Sequence, residues 1–127
     1  METMDVAKVS ARKREIVKQY SELLDKHLLE LKEGKAEENA TISQIAGLMF
    51  IHPRHLSNTI KEVLGISSCD VYEGKLLALS KDLLLNTTDS VAAIARRLLY
   101  DPSNFTKFFK HYEGLTPKQY RDNHIKI

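Results

Sequence analysis

The fold is decided by residues 42–67, ISQIAGLMFIHPRHLSNTIKEVLGIS, and residues 91–116, VAAIARRLLYDPSNFTKFFKHYEGLT. The two stretches repeat each other at an interval of 49 residues. Identical residues coincide at five pairs of positions: Ile45 and Ile94, Ala46 and Ala95, Pro53 and Pro102, Lys61 and Lys110, and Gly65 and Gly114. Each copy predicts a short helix, a tight turn and a longer helix that begins at its proline. This is the arrangement of a helix-turn-helix unit, and a helical hairpin repeated only for packing is the alternative.

The remaining segments also have helical patterns. Apolar side chains three and four positions apart predict an N-terminal helix over residues 10–33, and the leucine-rich residues 68–86 predict a central helix covered on two sides. Thr41 with Gln44 and Thr116 with Gln119 match the capping box, and Ser90 is a further cap. We therefore expect an all-α fold of seven helices, in which two helix-turn-helix subdomains are joined by a long central helix and an extra helix precedes them.

The expected domain limits follow from these patterns. Residues 1–40 form an N-terminal helix and linker, and residues 41–127 form the main domain. Within the main domain, residues 41–67 are the first helix-turn-helix, residues 68–89 the linking helix, and residues 90–127 the second helix-turn-helix with a terminal helix.

Composition and charge narrow the classes of protein. The chain has 127 residues, a formal net charge of +2 and one cysteine, which excludes an internal disulfide and a cysteine-based zinc finger. Its apolar runs are shorter than the roughly 20 residues of a membrane span, and its N-terminus is unlike a signal peptide, so we expect no membrane contact and a cytoplasmic location. Residues 96–127 hold seven Lys and Arg against three Asp and Glu. This basic end favours a polyanion such as nucleic acid as the partner.

The second helix of each copy separates an apolar face from a polar one. We expect the apolar faces to contain Leu56, Ile60, Val63 and Leu64 in the first copy and Phe105, Phe108, Phe109 and Tyr112 in the second. The opposite faces carry Arg54, Ser57, Asn58 and Lys61 in the first copy and Ser103, Asn104, Thr106, Lys107 and Lys110 in the second. Arg, Lys and Asn donate hydrogen bonds to guanine and adenine edges in the major groove, while Ser, Thr and Lys also reach phosphates. A linking helix of about 18 residues is about 27 Å long. Successive major grooves on one face of DNA lie about 34 Å apart, so a rigid helix of this length suits two polar helices held about one DNA turn apart.

The C-terminal end contains the motifs Phe108-Phe109-Lys110, Gly114, Thr116-Pro117 and Tyr120-Arg121, preceded by Ile94-Ala95, Asp101-Pro102-Ser103 and Phe105. In these motifs the chain resembles the AraC/XylS family of bacterial transcription regulators. The resemblance covers roughly residues 41–123. It implies a sequence-specific regulator of transcription that binds double-stranded DNA, with one helix of each subdomain in each of two adjacent major-groove segments.

The resemblance also implies which residues contact the DNA. The base-facing positions correspond to Arg54, Ser57, Asn58, Ser103, Asn104, Thr106 and Lys107. We expect phosphate contacts from Thr41, Lys61, Ser90, Lys110, Lys118 and Arg121.

The sequence departs from the family pattern in three places. The second turn, residues 97–101, is one residue shorter than usual and lacks the customary Gly-Phe pair, which is expected to tilt the helix that follows. Asn58 stands where an Arg is frequent, and Ser80 stands where the family often has Ala.

Other functions are weighed against DNA binding. His52, His55 and His111 have no carboxylate or cysteine beside them that would complete a metal site, and neither a phosphate loop nor a nucleophile motif is present, so we expect no metal, no cofactor and no enzyme activity. The alternatives are a helical protein-interaction module, with RNA polymerase as one partner, and a fragment of a larger ligand-responsive regulator with weak affinity for DNA. The apolar stripe of residues 10–33 either covers the first subdomain or forms a homodimer.

Overall fold

The computed structural model describes residues 10–125, and these form seven α-helices without a β-strand. The helices are α1 (Ala11–Lys32), α2 (Ile42–Met49), α3 (Pro53–Leu64), α4 (Ser68–Asn86), α5 (Val91–Arg97), α6 (Pro102–Glu113) and α7 (Pro117–Ile125). The predicted all-α fold is confirmed, helix by helix. The expected limits at residues 1–9 and 126–127 lie outside the described residues.

The two copies of the repeat fold alike, except that α5 ends one residue earlier in the repeat than α2. Thr41 caps α2 by accepting a hydrogen bond from the Gln44 N–H at 3.1 Å, and Ser90 caps α5 by accepting from the Ala93 N–H at 3.0 Å. The C-caps of α3 and α6 are Gly65 and Gly114, both with a left-handed backbone. The 49-residue repeat is therefore a repeat of structure as well as of sequence.

The turns between the short and long helices also match, although neither contains glycine at its left-handed position. Phe50 has a φ of 58° and Leu99, 49 residues later, has a φ of 67°. In each turn the next residue closes the helix end, since the Ile51 N–H donates to the Ala46 carbonyl at 3.1 Å and the Tyr100 N–H to the Ala95 carbonyl at 2.9 Å. This is a Schellman closure, in which glycine is the usual left-handed residue. Phe50 and Leu99 therefore both adopt the backbone conformation that glycine usually has in this closure.

The described residues divide into two compact units. The first contains residues 10–27 and 40–73, and the second contains residues 28–39 and 74–125. Helices α1 and α4 each contribute to both units, and the expected limit between residues 40 and 41 stays a prediction. Each unit contains one helix-turn-helix.

In the first unit, α1 is bound to the helices of the first repeat. Its stripe of Ile16, Val17, Tyr20 and Leu24 is buried. Lys13 forms an ion pair with Glu62 of α3 at 2.8 Å, and the Tyr20 hydroxyl donates to the Ser68 carbonyl at 3.4 Å. Burial, with a smaller contribution from Cys69, raises the pKa of the Tyr20 phenol to about 12. The stripe is thus buried inside the chain, as in the alternative in which it covers the first subdomain, and a homodimer through residues 10–33 stays a prediction.

In the second unit an aromatic cluster fills the core. Phe105 and Phe109 are fully buried, and their rings lie 6.1 Å apart between centroids. The Tyr120 ring of α7 meets the Phe109 ring edge-on at 5.4 Å. In α4, Ser80 is also buried, and its hydroxyl donates to the Leu76 carbonyl at 2.8 Å. The departure from Ala at this position therefore leaves the buried hydroxyl satisfied.

Two residues expected on the apolar faces are more exposed than predicted. Leu64 is 46% exposed and Tyr112 is 42% exposed. Both lie in the last turn of their helices, where Leu64 is followed by the exposed Gly65 and Tyr112 contacts Phe108 at the edge of the aromatic cluster. Periodicity assigns a residue to a face but does not tell where along the helix the covering neighbour ends.

Candidate nucleic-acid interface

The polar face of α3 lies opposite its buried residues. Leu56 and Ile60 are fully buried, while Arg54, Asn58 and Lys61 are exposed on the other side of the helix. These three residues are spaced four and three positions apart, so they form one row along the helix. The row begins in the first turn, next to the helix N-terminus. Ser57 is half-buried at the side of the row.

The start of α3 is held by a histidine cap. The Nδ1 atom of His52 accepts a hydrogen bond from the Arg54 N–H at 3.1 Å. Pro53 follows as the first helical residue, where its missing N–H costs nothing. The cap fixes the backbone from which the Arg54 side chain projects.

The polar face of α6 has the same layout with different side chains. Ser103, Lys107 and Lys110 are exposed opposite the buried Phe105 and Phe109. Asn104 is exposed on one flank of this row and Thr106 is half-buried on the other. All the residues predicted to contact bases thus lie on the two long helices of the repeat, and none lies in the core.

An aspartate cap begins α6 where the histidine cap begins α3. The Asp101 carboxylate accepts from the Ser103 N–H at 3.1 Å and from the Ser103 hydroxyl at 2.5 Å. Hydrogen bonds from the Ser103 side chain and backbone lower the pKa of Asp101, with a smaller contribution from the charge of Arg96. The cap is therefore an ionised carboxylate at neutral pH.

Comparing the two rows shows what they share and where they differ. The third position is Lys61 in α3 and Lys110 in α6. The first position is Arg54 in α3 and Ser103 in α6, and the second is Asn58 in α3 and Lys107 in α6. The two faces therefore present the same cation in the third turn but different donors in the first two turns.

Two residues of these surfaces were missed by the sequence reasoning. His55 is exposed on the flank of α3 and is the 49-residue counterpart of Asn104, which was predicted to contact a base. Applying the repeat to that flank would have found it. Arg96 is exposed, and its charge acts on Asp101 at the start of α6. No pattern in the sequence places Arg96 beside that helix start.

The acidic residues of the two long helices are held by lysines of other helices. Glu62 of α3 pairs with Lys13 of α1 at 2.8 Å, and Glu113 of α6 pairs with Lys81 of α4 at 2.7 Å. Each pair lowers the local negative charge that would repel a polyanion. The remaining charged side chains of the rows, Arg54, Lys61, Lys107 and Lys110, are all cationic.

The residues predicted to contact phosphates do not all have the same environment. Thr41 and Ser90 are exposed at the caps of α2 and α5. Lys118 is exposed but pairs with Asp122 at 2.8 Å. Arg121 is different, since its Nε donates to the Leu84 carbonyl at 2.8 Å and its Nη2 to the Thr87 carbonyl at 3.2 Å. The guanidinium therefore binds carbonyls at the end of α4, and a phosphate contact from Arg121 stays a prediction.

Within residues 10–125 no three His, Cys, Asp or Glu side chains come together as a metal site requires. None of the helices described is long and apolar enough to cross a membrane.

Comparison with known proteins relates these helices to characterised folds. A family model described as a helix-turn-helix domain matches residues 45–123. The uncharacterized HTH-type transcriptional regulator YtdP of Bacillus subtilis (strain 168) is 32% identical to the chain over 104 residues. These residues make up 81% of this chain and 13% of YtdP, so the chain spans a small part of that relative.

Two solved structures share the fold. The C-terminal domain of AraT, a response regulator from Geobacillus stearothermophilus, is 28% identical and superposes with a TM-score of 0.73 over 91% of this chain and 88% of that domain. The DNA-binding domain of AdpA, a global transcriptional factor solved in complex with a target DNA, is 18% identical. Its TM-score is 0.70, with 84% of this chain and 92% of that one covered, and at this identity the likeness concerns the fold alone.

Proposed function

The chain belongs to the AraC/XylS family of helix-turn-helix transcription regulators, and from this we propose that it binds double-stranded DNA sequence-specifically through α3 and α6. The observation that carries the proposal is that both helices expose a row of hydrogen-bond donors opposite the core, at positions related by the repeat. In helix-turn-helix proteins the N-terminal residues of the second helix contact base edges. Because that helix occurs twice, the proposed site contains two major-groove segments.

We expect the first two positions of each row to contact bases. Arg54 and Asn58 are four residues apart, which is about 6 Å along a helix and close to two base-pair steps. Arg matches the O6 and N7 atoms of guanine, and Asn matches the N6 and N7 atoms of adenine. In α6, Lys107 matches guanine and Asn104 matches adenine, with Ser57, Ser103 and Thr106 as further contacts. Since the two rows differ at these positions, we propose that the two DNA segments have different sequences.

The third position and the helix starts are proposed to contact phosphates. Lys61 and Lys110 lie about 10 Å from the start of their rows, where a helix leaving the groove meets the DNA backbone. Thr41, Ser90 and Lys118 remain proposed contacts because they are exposed, and Arg96 is added. Lys118 is already paired with Asp122, so it is not counted as a free charge. Five exposed cations that form no salt bridge among the described residues are proposed to face the DNA: Arg54, Lys61, Arg96, Lys107 and Lys110. They correspond to a slope of log affinity against log salt of about −4.5.

Selection of binding sites from random duplex DNA at several salt concentrations tests the proposal. We expect an enriched motif in two segments and a salt slope of about −4.5. Lys107→Ala and Lys26→Ala form a matched pair, because each removes one exposed positive charge and only Lys107 lies on a proposed DNA-contacting row. Lys107→Ala is expected to relax one position of the motif, whereas Lys26→Ala leaves the motif unchanged. Failure to enrich any motif would refute sequence-specific binding.

A second function, contact with a protein, is favoured by one observation. Leu48 is 65% exposed and Phe50 is 94% exposed, and they lie two residues apart at the end of α2. Exposed apolar side chains that lie close together are typical of protein contacts. We propose RNA polymerase as the partner, bound at this end of α2 while α3 contacts DNA. A Phe50→Ser variant that binds DNA normally is then expected to lose its effect on transcription by purified polymerase, and an unchanged effect would refute the contact.

The proposal covers the DNA-binding part only. Response to a ligand through additional domains remains the alternative derived from the sequence, and it concerns residues that the described helices do not include. A regulator that binds the genome of a bacterium acts in the cytoplasm, so that location belongs to the proposal as well.

A further inference from the structure

Arg97 is the last residue of α5, and its guanidinium is bound inside the second unit. Nη1 donates a hydrogen bond to the carbonyl of Lys32 at 3.1 Å, and Nη2 donates to the Asp89 carboxylate at 3.0 Å. Lys32 is the last residue of α1, where a carbonyl has no partner within its own helix. One arginine therefore joins the end of α1, the loop before α5 and α5 itself.

The last turn of α1 has two further attachments in the same unit. Leu31 is fully buried. Lys32 forms an ion pair with Asp82 of α4 at 3.1 Å, and Asn86 donates to the same carboxylate group at 2.7 Å. This turn lies outside the residues matched by the helix-turn-helix model, which begin at residue 45. It is nevertheless packed as part of the second helix-turn-helix.

A short and well-held path leads from Arg97 to α6. Leu98 is fully buried, Leu99 has its left-handed backbone, and the Tyr100 N–H is bonded to the Ala95 carbonyl. The Tyr100 ring then lies 6.1 Å from Phe105 and 5.4 Å from Phe108 of α6, measured between centroids. Because each residue of this path is fixed, a shift of the end of α5 would be passed to the start of α6.

We propose that Arg97 is a positioning residue that couples the docking of the last turn of α1 to the contact of α6 with DNA. The inference rests on the proposed function, because it concerns the regulation of the same DNA-binding surface. Arg97 acts through α1 and α5 and does not itself touch DNA. A segment joined to the N-terminus of α1 would thereby acquire a route to the second helix-turn-helix.

Coupling of this kind is reciprocal. If docking of the α1 end increases the affinity for DNA by some factor, DNA must stabilise the docked end by the same factor. Two amides report on that end, since the Gly34 N–H donates to the Leu31 carbonyl at 3.0 Å and the Lys35 N–H donates to the Glu30 carbonyl at 2.9 Å. Their hydrogen exchange is expected to slow by about fivefold on binding DNA, at the lower end of typical couplings.

The experiment measures hydrogen exchange and DNA affinity for the full chain with its selected duplex. Arg97→Ala is expected to bind DNA about fivefold more weakly, with an unchanged salt slope and no effect of DNA on exchange at Gly34 and Lys35. Arg97→Lys keeps the charge but not the fork that spans two acceptors, so we expect it to recover less than half of the loss on a logarithmic scale. Asp89→Asn removes one of the two partners and is expected to have an intermediate effect, which provides a test should Arg97→Ala fail to fold.

The matched control is Arg96→Ala, which removes the same charge from the neighbouring, exposed position. It is expected to lower the magnitude of the salt slope by about one and to leave the DNA-dependent protection at Gly34 and Lys35 intact. If the wild-type chain binds its duplex but hydrogen exchange at these two amides does not change on binding, the inference is overturned and the proposed function stands. Full recovery by Arg97→Lys would also overturn the inference. A wild-type chain that selects no DNA motif would refute both.

Discussion

Replacing Phe50 by glycine should stabilise the protein. Phe50 has a φ of 58° and a ψ of 37°, a left-handed conformation that costs an L-residue about 1–2 kcal/mol and costs glycine almost nothing. Because 94% of the Phe50 surface is exposed, removing the ring loses little buried area. Glycine also adds conformational entropy to the unfolded chain, and this offsets about 0.4–1 kcal/mol of the stability gained by relieving the strain. The free energy of unfolding should therefore rise by about 0.5–1 kcal/mol.

Urea unfolding followed by circular dichroism measures this gain, and thermal unfolding should show an increase in Tm of about 2–4 °C. Two control variants separate the backbone from the side chain. Phe50→Ala removes the same ring but keeps the Cβ atom, so it should bring no gain. Leu48→Gly, at an exposed position inside α2, should lower the free energy of unfolding by about 0.8 kcal/mol.

Equal stability of Phe50→Gly and Phe50→Ala would refute the argument from backbone strain. The counterpart in the second turn, Leu99, has a similar φ of 67° but is half-buried. Leu99→Gly should therefore gain less than Phe50→Gly, because the loss of buried area opposes the relief of strain. The difference between the two variants measures what each side chain contributes to its turn.

Three further outcomes are expected. Phe105→Ala should lower the free energy of unfolding by about 3–5 kcal/mol in chemical denaturation, because it empties a fully buried position among other rings. A loss below about 1 kcal/mol would contradict that packing. Asn58→Ala and Lys107→Ala should each relax one position of the selected DNA motif at a cost of about 1–3 kcal/mol, and the two positions should lie in different segments. Loss of base preference at the same position in both variants would contradict the assignment of one segment to each helix. Because the pKa of Asp101 is lowered in the fold, its contribution to stability is present above the pKa of an unfolded Asp and is lost as pH falls through the lowered value. Thermal unfolding between about pH 5 and about pH 2 should therefore be less steeply pH-dependent in Asp101→Asn than in the wild type, and identical curves would exclude the cap as the cause.

Local features were predictable from the sequence because their partners lie within a few residues. The capping box of Thr41 and Gln44 is present in the structure, with both hydrogen bonds formed. The two hydrogen bonds of the second box join Thr116 and Gln119 in the same way. The 49-residue repeat predicted both helix-turn-helix units because it preserves the buried positions and the proline helix starts. Such signals need no knowledge of the rest of the chain.

The roles of the arginines were not predictable, because their partners are far away along the chain. Arg121 bonds to carbonyls more than 30 positions earlier, and Arg97 bonds to a carbonyl 65 positions earlier. Both belong to the basic end that the sequence assigns to nucleic acid as a whole. A helix end exposes carbonyls, and an arginine that satisfies them looks in sequence like one that binds phosphate. The choice between the two roles depends on which helix end folds beside it.

The electrostatic strength of the DNA-binding surface therefore depends on which charges the fold uses. All seven Lys and Arg of residues 96–127 would give a salt slope of about −6, if each neutralised a phosphate. Bonding to carbonyls takes Arg97 and Arg121 out of that count, and Lys118 is paired with Asp122. Lysines elsewhere act in the opposite sense by pairing with the acidic residues of α3 and α6. Arg96, Lys107 and Lys110 of this stretch remain exposed and outside salt bridges among the described residues, and Arg54 and Lys61 of α3 bring the number to five and the slope to about −4.5. A measured slope near −6 would require about two further cations to contact phosphates. If Arg97 were one of them, it would have to leave its carbonyl on binding DNA, and the coupling between α1 and α6 would then break at the moment it is needed.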